Sequence, residues 1–208
     1  MRIPVAKESY LFLLLLLILS GVLLKTCGFF SIISLVVFVL TALFFRDPKR
    51  KVYSHLNEIV SPADGRIIQI KKVEEEGCVW NLVSIFMSPL NVHINYAPME
   101  GEVLDVAHKS GSFLRADHKD ASTQNESNTL LIRGKKIEIK MRQIAGLFAR
   151  RIVCYCKSGD FLNLGQKIGL IQFGSRVDLY FPLSLHLKIK EEDRVKGAQT
   201  ILGIISPK

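Results

Sequence analysis

The chain has 208 residues, room for one good hydrophobic core plus an appendage and too few for two large domains. Its hydrophobic fraction of 49% is ordinary for a globular protein, while its net charge of +9 favours an anionic partner. A helical basic stripe, a zinc finger and an RNA-binding aromatic motif are all missing, which sets nucleic acid aside and leaves an acidic membrane surface as the simpler partner.

The apolar residues are concentrated at one end. Tyr10–Leu24 is an apolar run of 15 residues and Gly28–Phe45 one of 18, with Lys25-Thr26-Cys27 between them. A helix crossing the hydrocarbon core needs about 20 apolar residues, so two marginal runs suit a hairpin that dips into the bilayer or just spans it. Arg2 and Lys7 precede the runs, and Arg46, Lys49, Arg50 and Lys51 follow them. The positive-inside rule then places both ends on the cytoplasmic face, which a hairpin satisfies and a single pass does not. A cleaved signal peptide accounts for the first run only; no small-x-small site separates the two, and no Arg/Ser-rich transit segment precedes them. We therefore expect residues 1–45 to be a helical membrane anchor and residues 46–208 a domain facing the cytoplasm, as at a bacterial inner membrane.

Beyond Arg46-Asp47-Pro48, short β-rich runs alternate with turn residues. Strands are predicted at Ile67–Val73, Val79–Phe86, Val92–Ala97, Val103–Ala107, Thr129–Arg133, Lys136–Met141, Lys167–Phe173, Val177–Phe181 and Leu185–Ile189. Ile144–Cys156 is apolar with two arginines and fits helix or strand. Ala116–Asn128 is polar and reads as a mobile loop or a lid facing substrate. The expected fold class is mainly β (α+β): an antiparallel β-sandwich or barrel-like domain on an N-terminal helical hairpin.

Of the four cysteines, Cys27 lies within the apolar segment, and Cys154 and Cys156 are spaced too tightly for a good disulfide. With no second pair at zinc-ligand spacing, we expect free thiols, a reducing compartment and no metal centre.

Four stretches combine reactive side chains with backbone punctuation: Ser61-Pro62-Ala63-Asp64-Gly65, Met87–Pro98 around His93, Asn125-Glu126-Ser127-Asn128, and Phe173-Gly174-Ser175-Arg176. Taken singly they read as a β-turn, a structural histidine facing away from Val92 and Ile94, a solvated loop that fits a glycosylation sequon, and a common dipeptide. Glycine before Ser175 permits a backbone conformation that other residues resist, so the Ser175 hydroxyl can reach its own preceding carbonyl. Together Asp64, His93 and Ser175 supply a carboxylate, a base and a nucleophile, the set that activates a hydroxyl.

Six blocks in order carry a family resemblance: Phe44-Phe45-Arg46-Asp47-Pro48; Ser61–Gly65; Ser88-Pro89 with Asn91-Val92-His93; Asn125-Glu126-x-Asn128; Gln143-Ile144-Ala145-Gly146 with Ala149–Val153; and Phe173–Arg176. From about residue 40 onward the chain resembles the short-form phosphatidylserine decarboxylases, enzymes that make phosphatidylethanolamine and carbon dioxide in phospholipid biosynthesis.

The resemblance implies a proenzyme that cuts itself between Gly174 and Ser175. His93, oriented by Asp64, takes the Ser175 proton, and the hydroxyl attacks the Gly174 carbonyl to give an ester. Elimination releases a β chain, residues 1–174, and leaves an α chain, residues 175–208, whose first residue becomes a covalent pyruvoyl cofactor. That ketone forms a Schiff base with the substrate amine and accepts the electrons left by carbon dioxide. His93 is the first candidate proton donor, and His118 the second. Asn125, Glu126, Tyr96 and His118 are candidate substrate-binding residues. The long-form relatives carry a second histidine where Tyr96 stands, so here one imidazole covers both tasks or Tyr96 takes part. The implied partners are an anionic phospholipid, the membrane, and the two chains of one proenzyme, with room for a homo-oligomer.

Two other readings compete. A membrane-anchored serine hydrolase would use Ser175, His93 and Asp64 without cutting itself. A non-enzymatic membrane adaptor would account for Leu164–Gly169, which resembles a turn of lipoyl-like β domains, but leaves Asp64, His93 and Ser175 unused.

Overall fold

The structure, a computed structural model, describes residues 4–26, 28–52, 57–75, 77–116, 118, 120–146, 151–172 and 175–205. Contacts within it divide the chain into two units, Met1–Lys49 and Arg50–Lys208. The division falls four residues beyond the Phe45/Arg46 boundary expected from composition. The reason is that Arg46 and Asp47 belong with the helices: Arg46 bridges Val5, and the Asp47 N–H donates to Pro4 O at 2.7 Å.

In the first unit a 3-10 turn, Lys7–Ser9, leads into α1 (Tyr10–Thr26), and α2 (Gly28–Phe44) follows. Leucine-rich α1 lacks any interior proline, and its straight side chains keep rotamer freedom in a helix. The helices run antiparallel along a seam of small polar residues. Ser34 Oγ lies 2.9 Å from Ser20 Oγ, and Ser31 Oγ donates to Ser20 O at 2.9 Å. Small residues let helix backbones approach closely, and interhelical hydroxyls hold where surrounding contacts are apolar. The outward faces are apolar instead, with Leu11 and Phe29 64% and 69% exposed. Lys7–Thr26 spans 20 residues and is long and apolar enough to cross a membrane; α2 is shorter.

The second unit contains β1 (Glu58–Val60), β2 (Gly65–Glu75), β3 (Cys78–Met87), β4 (Ile94–Tyr96), β5 (Gly101–Lys109), a short helix α3 (Ala121–Gln124), β6 (Ser127–Arg133), β7 (Glu138–Ala145), β8 (Ile152–Cys154), β9 (Phe161–Leu162), β10 (Lys167–Ile171), β11 (Ser175–Pro182), β12 (Leu185–Leu187), β13 (Arg194–Val195) and β14 (Ile201–Ile205). All pairings between these strands are antiparallel. One curled eight-stranded sheet, in the order β13-β2-β3-β11-β7-β6-β5-β9, forms a half-barrel. Two three-stranded sheets, β1-β14-β12 and β4-β10-β8, complete the unit. The β2–β3 hairpin turns on Gly77, whose φ of +74° suits a residue without a Cβ.

The mainly β expectation holds. Alternation puts Val177, Leu179 and Phe181 of β11 on the core face with Val83, Ile85, Ile139 and Met141, all fully buried. The ambiguous stretch after Ile144 ends β7 and then forms β8, a strand; residues 147–150 lie outside the described set. Within the polar stretch Ala116–Asn128, α3 forms and β6 begins at Ser127. His93 departs from the expected alternation. It precedes β4 rather than lying on a strand, and Val92, His93 and Ile94 are all buried because this short segment is covered on both sides.

Candidate active site

Ser175 opens β11 in the middle of the large sheet. It pairs with Met87 of β3 on one edge and with Ala145 of β7 on the other. Its side chain is fully buried, and Oγ donates to Met87 Sδ at 3.7 Å. The same sulfur accepts Asn95 Nδ2 at 3.7 Å. Ser175 and the His93–Asn95 segment therefore converge on one sulfur atom. The expected cleavage partner Gly174 lies outside the described residues.

His93 is 2% exposed, and its Nδ1 lies 3.0 Å from Asn91 O. A carbonyl oxygen can only accept, so in the neutral ring Nδ1 carries the proton and Nε2 is the basic nitrogen. The backbone of His93 is pinned by the Ile171 N–H, which donates to His93 O at 3.2 Å.

Asp64 sits differently from the expectation that it orients His93. Its two oxygens accept Arg50 Nη2 at 2.9 and 2.7 Å, and Oδ1 also accepts the Gly197 N–H at 2.8 Å. No hydrogen bond joins Asp64 to His93 among the described residues; the Asn91 carbonyl orients the imidazole instead. Asp64 reaches the histidine segment through the backbone. Its turn is tied to that segment by the Tyr96 N–H, which donates to Pro62 O at 2.8 Å, and by the Val60 N–H to Pro98 O at 2.9 Å. Tyr96, 1% exposed, packs its ring against Gly197, where an added Cβ would lie 2.7 Å from Cδ2. Asp64, Gly197 and Tyr96 thus form one cluster.

The other candidates are dispersed. Asn125 is fully buried and spends both amide hydrogens on the chain, donating to Leu114 O and Ala145 O at 2.7 Å each. It clamps the loop before β6 onto Ala145, the neighbour of Ser175, and has no amide hydrogen left for a ligand. Glu126 is half-buried, and its backbone oxygen accepts the Ala145 N–H at 2.9 Å. His118 is exposed, with Nδ1 3.7 Å from Asp120 Oδ2.

The opposite face of the sheet carries a second polar cluster. Arg176 and Asp178 form a buried ion pair, with Arg176 also donating to Ser84 Oγ at 2.8 Å. Arg142 donates to Tyr180 Oη at 2.8 Å and to Glu75 at 2.6 Å, and burial together with Asp178 pushes the Tyr180 phenol above its ordinary range. A cavity of about 520 Å³ opens on this face beside Trp80, Lys140 and Arg142. Ser175 lines neither this cavity nor the two smaller ones at Lys136 and Phe161.

Sequence reasoning missed Arg50, Asn95 and Gly197 as site members. Asn95 carried a signal, since it lies two residues from His93 with an amide among buried apolar neighbours. Arg50 and Gly197 carried none.

The family model described as phosphatidylserine decarboxylase matches residues 37–203. The chain belongs to the phosphatidylserine decarboxylase family. Among its relatives are phosphatidylserine decarboxylase proenzymes of Citrifermentans bemidjiense, 40% identical over 97% of each chain, and of Geotalea uraniireducens, 39% identical with the same coverage. The proenzyme of Azorhizobium caulinodans is 38% identical over 97% of this chain and 89% of its own. Membership in this decarboxylase family places the Asp64 turn, the His93 segment and Ser175 within the matched span.

Proposed function

We propose that the chain is a self-processing phosphatidylserine decarboxylase that cuts itself before Ser175 and uses the resulting pyruvoyl group to convert phosphatidylserine to phosphatidylethanolamine. The observation that carries this reading is the placement of Ser175: the first residue of a strand held on both edges, its hydroxyl buried where the His93 segment converges.

In the cutting step His93 Nε2 takes the Ser175 hydroxyl proton, and Oγ attacks the preceding carbonyl to give an ester. The Asn91 carbonyl holds the tautomer that makes Nε2 basic. Asp64 is a positioning residue. Locked by Arg50 and Gly197, it fixes the turn whose Pro62 carbonyl anchors Tyr96, and so holds the His93–Tyr96 segment in place. Elimination at Ser175 and hydrolysis with loss of ammonia then leave the ketone at the new chain end.

The residues present fit such a group: the end is buried, held on both edges by β3 and β7, and shares Met87 Sδ with Asn95, two residues from His93, a setting that excludes water from a reactive carbonyl. When formed, the pyruvoyl group supplies the electron sink for decarboxylation. His93 then holds the proton that replaces the departing carboxylate. Activity waits for cleavage because the uncut chain has a serine hydroxyl at this position and no ketone to take the lipid amine.

The helical hairpin supports a membrane location: its outward apolar faces suit lipid, and both its ends carry positive charge toward the cytoplasmic face of a bacterial inner membrane. The test is direct. Ser175→Ala should remain one uncut chain without decarboxylase activity, and His93→Ala should accumulate the uncut form; normal cleavage of either variant contradicts the assignment.

A further inference from the structure

Five adjacent strands of the large sheet share one end with Ser175. β3 stops at Met87 and β7 at Ala145, both paired with Ser175, while β6 begins at Ser127 beside Ile144 and β5 stops at Lys109 against Ser127. The turn that leaves β3 holds Leu90 out at 83% exposure, more than any other large apolar side chain among the described residues. This turn is closed by its own hydrogen bonds. Asn91 Oδ1 accepts the Ser88 N–H at 2.9 Å and Ser88 Oγ at 2.8 Å, and the Asn91 N–H donates to Ser88 O at 2.9 Å. The carbonyl of the same Asn91 orients His93, so the leucine tip and the imidazole are built on one short frame.

A second apolar tip stands at the same end. Phe113 is exposed on the strap that follows β5, and Asn125 ties that strap down by accepting the Leu114 N–H at 2.9 Å and donating to Leu114 O and Ala145 O. Cations flank the two tips. Lys109 ends β5, Arg115 follows Phe113 by two residues, and the Arg151 carbonyl accepts the Gln172 N–H at 3.2 Å; all three residues are exposed. Single exposed apolar side chains are ordinary on a protein surface. Two of them on hydrogen-bonded loops, interspersed with cations around a buried reactive residue, have the make-up of a surface that enters an anionic bilayer.

We propose that this end of the sheet docks on the membrane, with Leu90 and Phe113 entering the acyl region and Lys109, Arg115 and Arg151 meeting anionic head groups. The docking surface rests on the function read for Ser175 only in the identity of the lipid processed. A two-chain lipid drawn wholly into water exposes its acyl chains, at roughly fourfold in partition per methylene. A rim seated in the head-group layer brings the lipid amine toward Ser175 and leaves the chains where they are. Leu90 and His93 are three residues apart, no more than about 11 Å between Cα atoms. Seating the leucine therefore brings the imidazole to the bilayer surface.

The test uses the uncut full chain carrying Ser175→Ala and Trp80→Phe, which removes the one native indole. Leu90→Trp is made in this background and reconstituted into vesicles of phosphatidylglycerol and phosphatidylcholine. Lipids brominated along their acyl chains should quench its fluorescence severalfold more than that of Phe161→Trp, a change at an exposed site beside Glu102, at the far end of β5. Quenching at position 90 no greater than at position 161 overturns the docking. In the otherwise native chain, Leu90→Asp should lower turnover of vesicle phosphatidylserine, relative to short-chain phosphatidylserine dispersed as monomers, by about tenfold, the low end of what burying one leucine is worth. An equal loss on both substrates also overturns it, because Leu90 would then act inside the site. Selective quenching in a chain whose native form decarboxylates neither substrate contradicts the reading of Ser175 while establishing the docking surface.

Discussion

Arg50 Nη2 lies 2.9 and 2.7 Å from the two oxygens of Asp64, joining the entry of the β unit to the turn beneath the histidine segment. The side chains are only 11% and 12% exposed, so the pair is shielded from water. Removing one partner of a buried pair strands the other charge. Arg50→Met should therefore lower stability by about 3 kcal/mol, read by urea denaturation of the uncut Ser175→Ala chain. Arg50→Met combined with Asp64→Asn should be less destabilised than the sum of the single changes.

Gly197 matters for the space it leaves. A Cβ there would meet Tyr96 Cδ2 at 2.7 Å and Cε2 at 2.9 Å, while the backbone N–H must stay on Asp64. Gly197→Ala should cost about 1–3 kcal/mol by overpacking and slow the appearance of cut fragments on a denaturing gel. Cleavage at the normal rate would remove the Asp64–Gly197–Tyr96 cluster from the positioning machinery.

The segment beyond Ser175 is woven into the rest of the unit. β11 pairs with β3 and β7, β13 with β2, and β14 with β1. A cut before Ser175 breaks none of these ladders. The two fragments should therefore comigrate in native size exclusion and separate only in denaturant.

Thiol labelling provides a pH signature. The Cys154 and Cys156 sulfurs lie 3.5 Å apart, and this contact lowers the Cys154 thiol to about 6, so that it stays ionised through neutral pH and its reactivity falls as pH drops through that value. In the denatured chain the same thiol titrates near ~8.5. Alkylation of Cys154 followed by mass mapping should thus be half lost near pH 6 in the folded protein. Coincident folded and denatured profiles would contradict the Cys156–Cys154 contact.

Membrane fractionation tests the hairpin. With Leu11, Phe29 and their neighbours facing outward, the full chain should stay in the pellet through a carbonate wash and leave it in detergent.

Alternation made much of the fold legible. Val177–Phe181 shows period-two patterning, with Asp178 and Tyr180 facing away from Val177, Leu179 and Phe181, and it appears within two residues as β11; the apolar run Val79–Phe86, bounded by turn residues, appears within one residue as β3. Phe161–Leu162 and Arg194–Val195 are too short for a period to register, and Ile201–Ile205 is interrupted by Gly203. At the site, ordered motifs pointed to Ser175, His93 and Asp64. The orientation of His93 by the Asn91 carbonyl is a backbone contact that no side-chain pattern encodes. The same holds for Gly197, whose N–H reaches Asp64 across 133 residues of sequence.

Most of the account depends on a carbonyl made at Ser175. Intact mass of the purified protein, before and after borohydride, measures it directly. Two fragments, the smaller beginning at Ser175 without a free amine and gaining two hydrogens on reduction, are the predicted result. A single 23.4 kDa chain, or a small fragment with an ordinary serine at its amino end, would contradict it.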